Sequence, residues 1–190
     1  MLETKEIIIT TSQKLFSRFG LNKTTVDEIA KLAHVAKGTI YHHFQSKEQI
    51  FEEVIEKEAI FLYNEIKKNV DNMKSPKEKL RTFVIMRFKH LKNLANYYSA
   101  LKDDYLSHYA FIEKARKKYF DNELKMVTNI LEEGNKNNIF SIQDVKMTSL
   151  AIVTALRGLE HPWNIEDSIS DIEKSVDSLI NVLLKGIEAR

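Results

Sequence analysis

Residues 24–51 read TTVDEIAKLAHVAKGTIYHHFQSKEQIF, and how this stretch folds decides how the rest is read. It accommodates two short helices with a tight turn between them. Thr24 or Thr25 can cap the first, and Glu28 stands three residues after Thr25, in capping-box register. Val26, Ile29, Ala30 and Ala33 then form an apolar face. The second helix runs from about Lys37 to Phe44, and its spacing sorts it into two sides. Ile40 and Phe44 share one side and can pack on Leu15, Phe16, Phe19, Ile29 and Ala30. The other side carries Gly38, Thr39, His42 and His43, flanked by Lys37 and Tyr41, and residues 34–44 contain no acidic residue.

A polar face without acid suits a negatively charged partner. A helix of eight residues is about 12 Å long, close to the width of the B-DNA major groove. Two helices joined by a tight turn are a common way to hold such a helix there. On that reading Gly38 lets the backbone approach closely, Thr39 meets a base edge or a thymine methyl, and Lys37 reaches guanine or phosphate. Tyr41 and His42 donate to phosphate oxygens, and His43 lies on the same arc. Thr24, Thr25 and Lys47, at the starts of helices, are further DNA-binding candidates, with backbone contacts where helix dipoles favour anions. The same spacing also describes a plain amphipathic helix with a solvated face. A metal site fits poorly, because His42 and His43 are adjacent and chelation on a helix needs a spacing of three or four.

Helical periodicity continues in both directions. Upstream, Ile8, Leu15, Phe16 and Phe19 recur at helical spacing, and Gly20 offers a stop. Downstream, Ser46 caps a long fourth helix from Lys47 to about Val70, with Gln49 at its third position, and Ser75 with Pro76 starts the next. Further helices are predicted near 76–94, 97–106, 109–133, 144–160 and 169–188, with loops at GNKNN (134–138) and HPWN (161–164). The expected fold is all-α with about nine helices: three short ones, residues 1–48, then a larger helical part, residues 49–190. With 5 Gly and 2 Pro in 190 residues, the chain has few breakers to oppose this reading.

Composition removes several classes of function. Zero cysteine excludes disulfide frameworks, thiolate zinc sites and cysteine nucleophiles, and fits a reducing compartment. Apolar runs reach about four residues, as in FVIM (83–86), against the roughly 18 a membrane span requires. The start, MLETKEIIITT, lacks the apolar region of a secretory signal, so a cytoplasmic protein is expected. Residues 1–50 hold seven Lys/Arg against five Asp/Glu while the remainder balances, which puts the surplus of positive charge on the part with the acid-free face. There is no HExxH, no paired Glu-x-x-His, no phosphate-binding glycine loop and no GxSxG, and His90, His108 and His161 are isolated in sequence. Neither catalysis nor a cofactor is expected.

Residues 24–51 resemble the helix-turn-helix of the tetracycline-repressor (TetR) family of bacterial transcriptional regulators. The threonine cap, IAKLA, KGTIYHHF and SKEQIF stand at the family's spacing, and the similarity to its amino-terminal domain covers about residues 5–52. The rest resembles the family in helix count, in length and in LEEGNKNNIF followed by a hydrophobic helix pair. One position departs: the family usually has glycine where His34 stands, in a turn that often needs a left-handed backbone.

The resemblance implies a homodimer that binds a palindromic double-stranded DNA operator, more often as repressor than activator. Two copies set about 34 Å apart would read more base pairs than one short helix can. The dimer would form through the last two helices, whose stripes include Ile152, Leu156 and Leu159, accompanied by Ala151, Ala155 and Gly158, and Val176, Leu179, Ile180, Leu183 and Ile187. Ordinary intramolecular packing would produce the same stripes. The resemblance also implies a pocket among the middle helices for a small hydrophobic or amphipathic effector, with Phe83, Met86, Arg87, His90, Tyr98, Tyr105, Phe120 and Trp163 as candidate lining. The alternative is a helical small-molecule carrier or protein-interaction adaptor without sequence-specific DNA binding.

Overall fold

In the computed structural model, which describes residues 2–91, 110–158, 174, 176–182 and 185, every described element is helical. In order they are α1 (Leu2–Lys23), α2 (Val26–Leu32), α3 (Lys37–His43), α4 (Lys47–Asp71), α5 (Pro76–Leu91), α6 (Ala110–Lys136) and α7 (Val145–Gly158), with a further helical stretch at 176–182. The helix expected at 97–106 and the HPWN loop lie outside the described residues. The described residues form two units. One runs to Ile60 and includes α6 up to Arg116; the other begins at Phe61 and resumes at Lys117, so the division falls within α4.

Local chemistry explains the boundaries. Gly20, expected to stop α1, kinks it instead (φ 77, ψ 167), and helical structure resumes as far as Lys23. Thr25 caps α2: its hydroxyl accepts from the Glu28 N–H at 3.2 Å while its own N–H donates to the Glu28 carboxylate at 2.8 Å. Ser75 and Glu78 make the equivalent pair ahead of α5 (3.2 and 3.1 Å), while ahead of α4 the Ser46 hydroxyl accepts from the Gln49 N–H at 3.2 Å and the Gln49 side-chain oxygen accepts from the Gln45 N–H at 2.6 Å.

Between α2 and α3 the chain turns through a left-handed residue. His34 has φ 55, the conformation expected of this glycine-like position, and the flanking bonds are those of a Schellman motif: His34 N–H to Lys31 at 3.4 Å and Val35 N–H to Ala30 at 3.0 Å. The end of α6 repeats the arrangement at Asn138 (φ 54), with Asn138 N–H to Asn135 at 3.1 Å and Ile139 N–H to Gly134 at 2.8 Å. Gly134, Asn135 and Lys136 are therefore helical, not loop as GNKNN had indicated. The helix runs on because the left-handed cap waits until Asn138 and Phe140 folds back over Gly134.

In the first unit Ile40 and Phe44 are 1% and 2% exposed, in a core shared with Leu15, Phe16, Ile29 and Ala30. Each buried side chain of this size contributes about 1.5–3 kcal/mol, enough to fix the orientation of a helix as short as α3. Phe16 meets Phe51 edge-on at 5.1 Å, tying α1 to α4, and Lys5–Glu53 (2.8 Å) and Gln13–Glu58 (2.8 Å) join the same two helices. Phe19 does not join this core. It lies next to the kink, 47% exposed, with the Arg18 guanidinium 5.1 Å from its ring centre. The second unit packs Leu80, Phe83 and Val84 of α5, Val127, Ile130 and Leu131 of α6, and Ile152, Val153 and Leu156 of α7 as buried residues.

Candidate functional site

α3 has seven residues, one fewer than expected, because Phe44 is its C-cap with extended backbone (φ −138, ψ 134) and still plants its ring in the core. With Ile40 and Phe44 facing inward, Lys37, Gly38, Tyr41 and His42 are exposed and Thr39 and His43 partly so. The His42 and His43 rings meet edge to face at 5.3 Å. The first turn of α3 carries no acidic side chain. Among the described residues, a Cβ added to Gly38 would meet nothing within 4 Å, so none of them requires glycine there.

One flank of α3 borders a shallow cleft of about 420 Å³ lined by Thr25, Asp27, Lys37, Tyr41, Ser46 and Lys47 among others. The capped amino ends of α2 and α4 both open onto it, and free backbone N–H groups at such ends favour anions. Lys47, half-buried, is fixed there by donating to the Thr24 carbonyl at 2.9 Å. Hydrogen bonds from the Thr25 N–H and then its hydroxyl hold the Glu28 carboxyl below its ordinary range, so Glu28 is committed to the cap. Thr24 corrects the sequence reading. The residue is buried (1% exposed), its hydroxyl donating to the Gly20 carbonyl at 2.8 Å and its own carbonyl accepting from the Lys47 ammonium.

Asp27 was not singled out in the sequence, and it changes the electrostatics. Its carboxylate holds the Lys37 ammonium at 2.9 and 3.0 Å through its two oxygens. The hydrogen bond first and the charge second raise the Lys37 pKa above its ordinary value. The acid-free helix thus has an acid beside it, supplied from ten residues upstream by the fold of the turn.

The residues expected at the dimer interface divide. Ile152, Leu156, Val176 and Ile180 are at most 3% exposed within the single chain, so they are protomer core and unavailable to a second copy. Leu179 is half-buried, and the side chains of Leu159, Leu183 and Ile187 lie outside the described residues. The exposed side of α7 is the opposite one: Met147, Leu150, Ala151, Thr154, Ala155 and Gly158 recur at three and four, with Met147 60% and Leu150 38% exposed. Val182, in the later helical stretch, is 71% exposed.

Of the expected effector-site residues, Phe83 and Arg87 are fully buried, and Met86 and Phe120 half-buried. The side chains of His90, Tyr98, Tyr105 and Trp163 lie outside the described residues. Arg87 forms an ion pair with Glu123, which is 3% exposed, and its guanidinium lies 5.3 Å from the Phe88 ring centre and 6.0 Å from that of Tyr119. Breaking such a pair would strand a buried charge, at a cost of about 3–5 kcal/mol. Phe120 carries the Arg157 guanidinium at 4.6 Å. Glu123 also escaped the sequence reading, although a signal existed: it occupies a core position in the α6 stripe of Tyr119, Val127 and Ile130, as Arg87 does beside Phe83 and Val84.

Residues 8–54 match the family model described as bacterial regulatory proteins, tetR family, and residues 63–189 match that of the QacR-like protein, C-terminal region. The HTH-type transcriptional regulator QacR of Staphylococcus aureus is 28% identical over 97% of this chain and 100% of that protein. The biofilm operon icaADBC HTH-type negative transcriptional regulator IcaR, from the same species, is 23% identical over 95% and 99%. A transcriptional regulator of Cytophaga hutchinsonii shares the fold with a TM-score of 0.79 and 28% identity, over 96% of this chain and 97% of that one.

Proposed function

The chain belongs to the tetR family of bacterial regulatory proteins, DNA-binding regulators of transcription, and from that premise we propose that it is a cytoplasmic repressor acting as a homodimer on a palindromic operator. Residues 1–48 would bind DNA, and residues 49–190 would bind the effector and dimerise. The observation that carries this reading is the pose of α3. Ile40 and Phe44 seat it, and Gly38, Thr39, Tyr41 and His42 stand outward beside a cleft onto which two helix amino ends open. Thr39 and Lys37 read bases; Thr25, Tyr41, His42, His43 and Lys47 hold phosphates. Gly38 supports the same reading, since the space beside it is open in the free protein and a groove wall would occupy it.

The second copy docks on the outward face of α7. Ala151, Ala155 and Gly158 allow close approach of a partner helix, and Met147, Leu150 and Val182 supply apolar area that a lone protomer leaves in water. The effector is small and hydrophobic or amphipathic, held among the middle helices near Phe83, Met86 and Phe120, with the Arg87–Glu123 pair as the polar element of the wall. It releases the operator to the extent that it prefers the form with misplaced reading helices.

The test is fluorescence anisotropy on duplexes selected from random DNA. His42→Ala and Lys47→Ala should weaken binding to every duplex, while Lys37→Ala and Thr39→Ala should also relax sequence preference. Binding should fall steeply with salt. Unchanged operator affinity in all four variants removes the proposed reading face, and a protein that binds no duplex is the carrier or adaptor instead.

A further inference from the structure

We propose that Asp27 determines specificity: its carboxylate tethers the Lys37 ammonium at the start of α3, withholding that charge from phosphates and reserving it for a base edge. The inference rests on the DNA-binding reading above.

An ammonium has three N–H donors. Both Asp27 oxygens lie within 3.0 Å of Lys37 Nζ, at 2.9 and 3.0 Å, so up to two donors point at Asp27 and at least one is left for another acceptor. The pair is solvent-exposed, 50% at the Lys37 side chain and 70% at Asp27, and both residues line the same cleft as Tyr41 and Lys47. Asp27 is also the carboxylate in the first turn of α2 that the cap leaves over, since Glu28 is taken by Thr25. A negative side chain there opposes phosphate, which is a poor choice for raw affinity. Its effect on discrimination is different. An untethered lysine swings to the nearest phosphate on any duplex and releases a counterion, whereas a lysine held by Asp27 contributes no net charge to a non-specific complex. On the right sequence the remaining donor meets a guanine N7 or O6 from a position already ordered, so little side-chain freedom is lost.

The experiment measures affinity of the full-length protein for its selected operator duplex and for a scrambled duplex of equal length, across a potassium chloride series. Wild type, Asp27→Asn, Lys37→Ala and the double variant are compared, with circular dichroism to verify folding. Asp27→Asn should raise affinity for the scrambled duplex about threefold, the size of coupling that exposed charge pairs show. It should steepen the salt slope on that duplex by about 0.9, the value for one further phosphate. The ratio of operator to scrambled affinity should narrow. In the Lys37→Ala background the same substitution should leave the slope unchanged. An Asp27→Asn slope equal to wild type, or an equal change in both backgrounds, overturns the tether. A wild type that binds no duplex removes the regulator reading and this inference together.

Discussion

Gly134→Ala tests the packing at the end of α6, because ordinary helix propensity predicts the wrong sign for it. In an open helix this substitution stabilises by about 1 kcal/mol. Here a Cβ would stand 1.9 Å from Phe140 Cδ2, 2.4 Å from Cε2 and 2.8 Å from Cγ. Carbon atoms in contact sit about 3.5–4.0 Å apart, so the ring must retreat by roughly 1.5 Å or more. Phe140 is 3% exposed, and its backbone is held by its N–H to the Gly134 carbonyl at 3.1 Å, so the ring cannot shift without losing its burial. Full loss of a core phenylalanine costs about 3–5 kcal/mol. Partial loss set against the propensity gain leaves a net destabilisation of about 2 kcal/mol. The assay is urea unfolding at fixed protein concentration, which matters if unfolding is coupled to dimer dissociation. The decisive comparison is a double-mutant cycle. With Phe140→Ala in place the clash partner is gone, and Gly134→Ala should then stabilise by up to about 1 kcal/mol. Equal destabilisation in both backgrounds would refute the clash, and neutrality in the wild-type background would show that the ring adapts.

Three other outcomes are expected. His34→Gly should raise stability by about 1 kcal/mol, since His34 holds φ 55 without the freedom of glycine, and should leave operator affinity alone because the two turn bonds are backbone ones. A fall in affinity would mean that the imidazole itself has a role at the DNA. Glu28 and Glu78 are each held below the ordinary 4.5 by hydrogen bonds within their caps, Glu28 chiefly from the Thr25 backbone and Glu78 chiefly from the Ser75 hydroxyl. A depressed carboxyl contributes stability above pH 4.5 and loses it as pH falls through the lower folded value, so the urea midpoints of wild type and Glu28→Gln/Glu78→Gln should converge below pH 4.5. A difference independent of pH would contradict this. Ala151→Glu/Ala155→Glu, on the exposed side of α7, should yield monomers at micromolar concentration by analytical ultracentrifugation and lose tight operator binding. An intact dimer would place the interface elsewhere.

What could be read from sequence and what could not divides along a physical line. The caps at Thr25, Ser46 and Ser75 and the left-handed turn at His34 are settled within a few residues of chain, so residue type and spacing are enough. The same holds for the orientation of α3, because a seven-residue helix with Ile40 on one side and Phe44 at its C-cap both drawn to the core has one way to lie down. Long-range partners are another matter. Nothing in the spacing of Asp27 and Lys37 announces that the turn brings them together, and Thr24 differs from Thr25 only through a hydrogen bond to Gly20 that depends on the kink in α1. Arg87, Glu123 and Glu58 each sit in an apolar stripe, a pattern that flags a buried charge but names no partner.

α7 shows why periodicity alone does not tell a stripe that packs within the protomer from one that would meet a second copy. Its helix has apolar residues on two faces: Ile152, Val153 and Leu156 on one, Met147, Leu150, Ala151 and Ala155 on the other. Periodicity weights the larger side chains, which selects the first face, and that face is the protomer's own core. In the proposed dimer the first face packs within its own chain and the second meets the other copy. The smaller residues belong on the second, since Ala151, Ala155 and Gly158 let a symmetry-related backbone approach within the roughly 8 Å at which tightly packed helices cross. On the proposed dimer, bulk marks the contact within the protomer and smallness beside exposed apolar groups the contact between copies. On that argument Leu156→Ala should lower stability by about 2–5 kcal/mol through a core cavity, while substitutions at Ala151 and Ala155 act on association first.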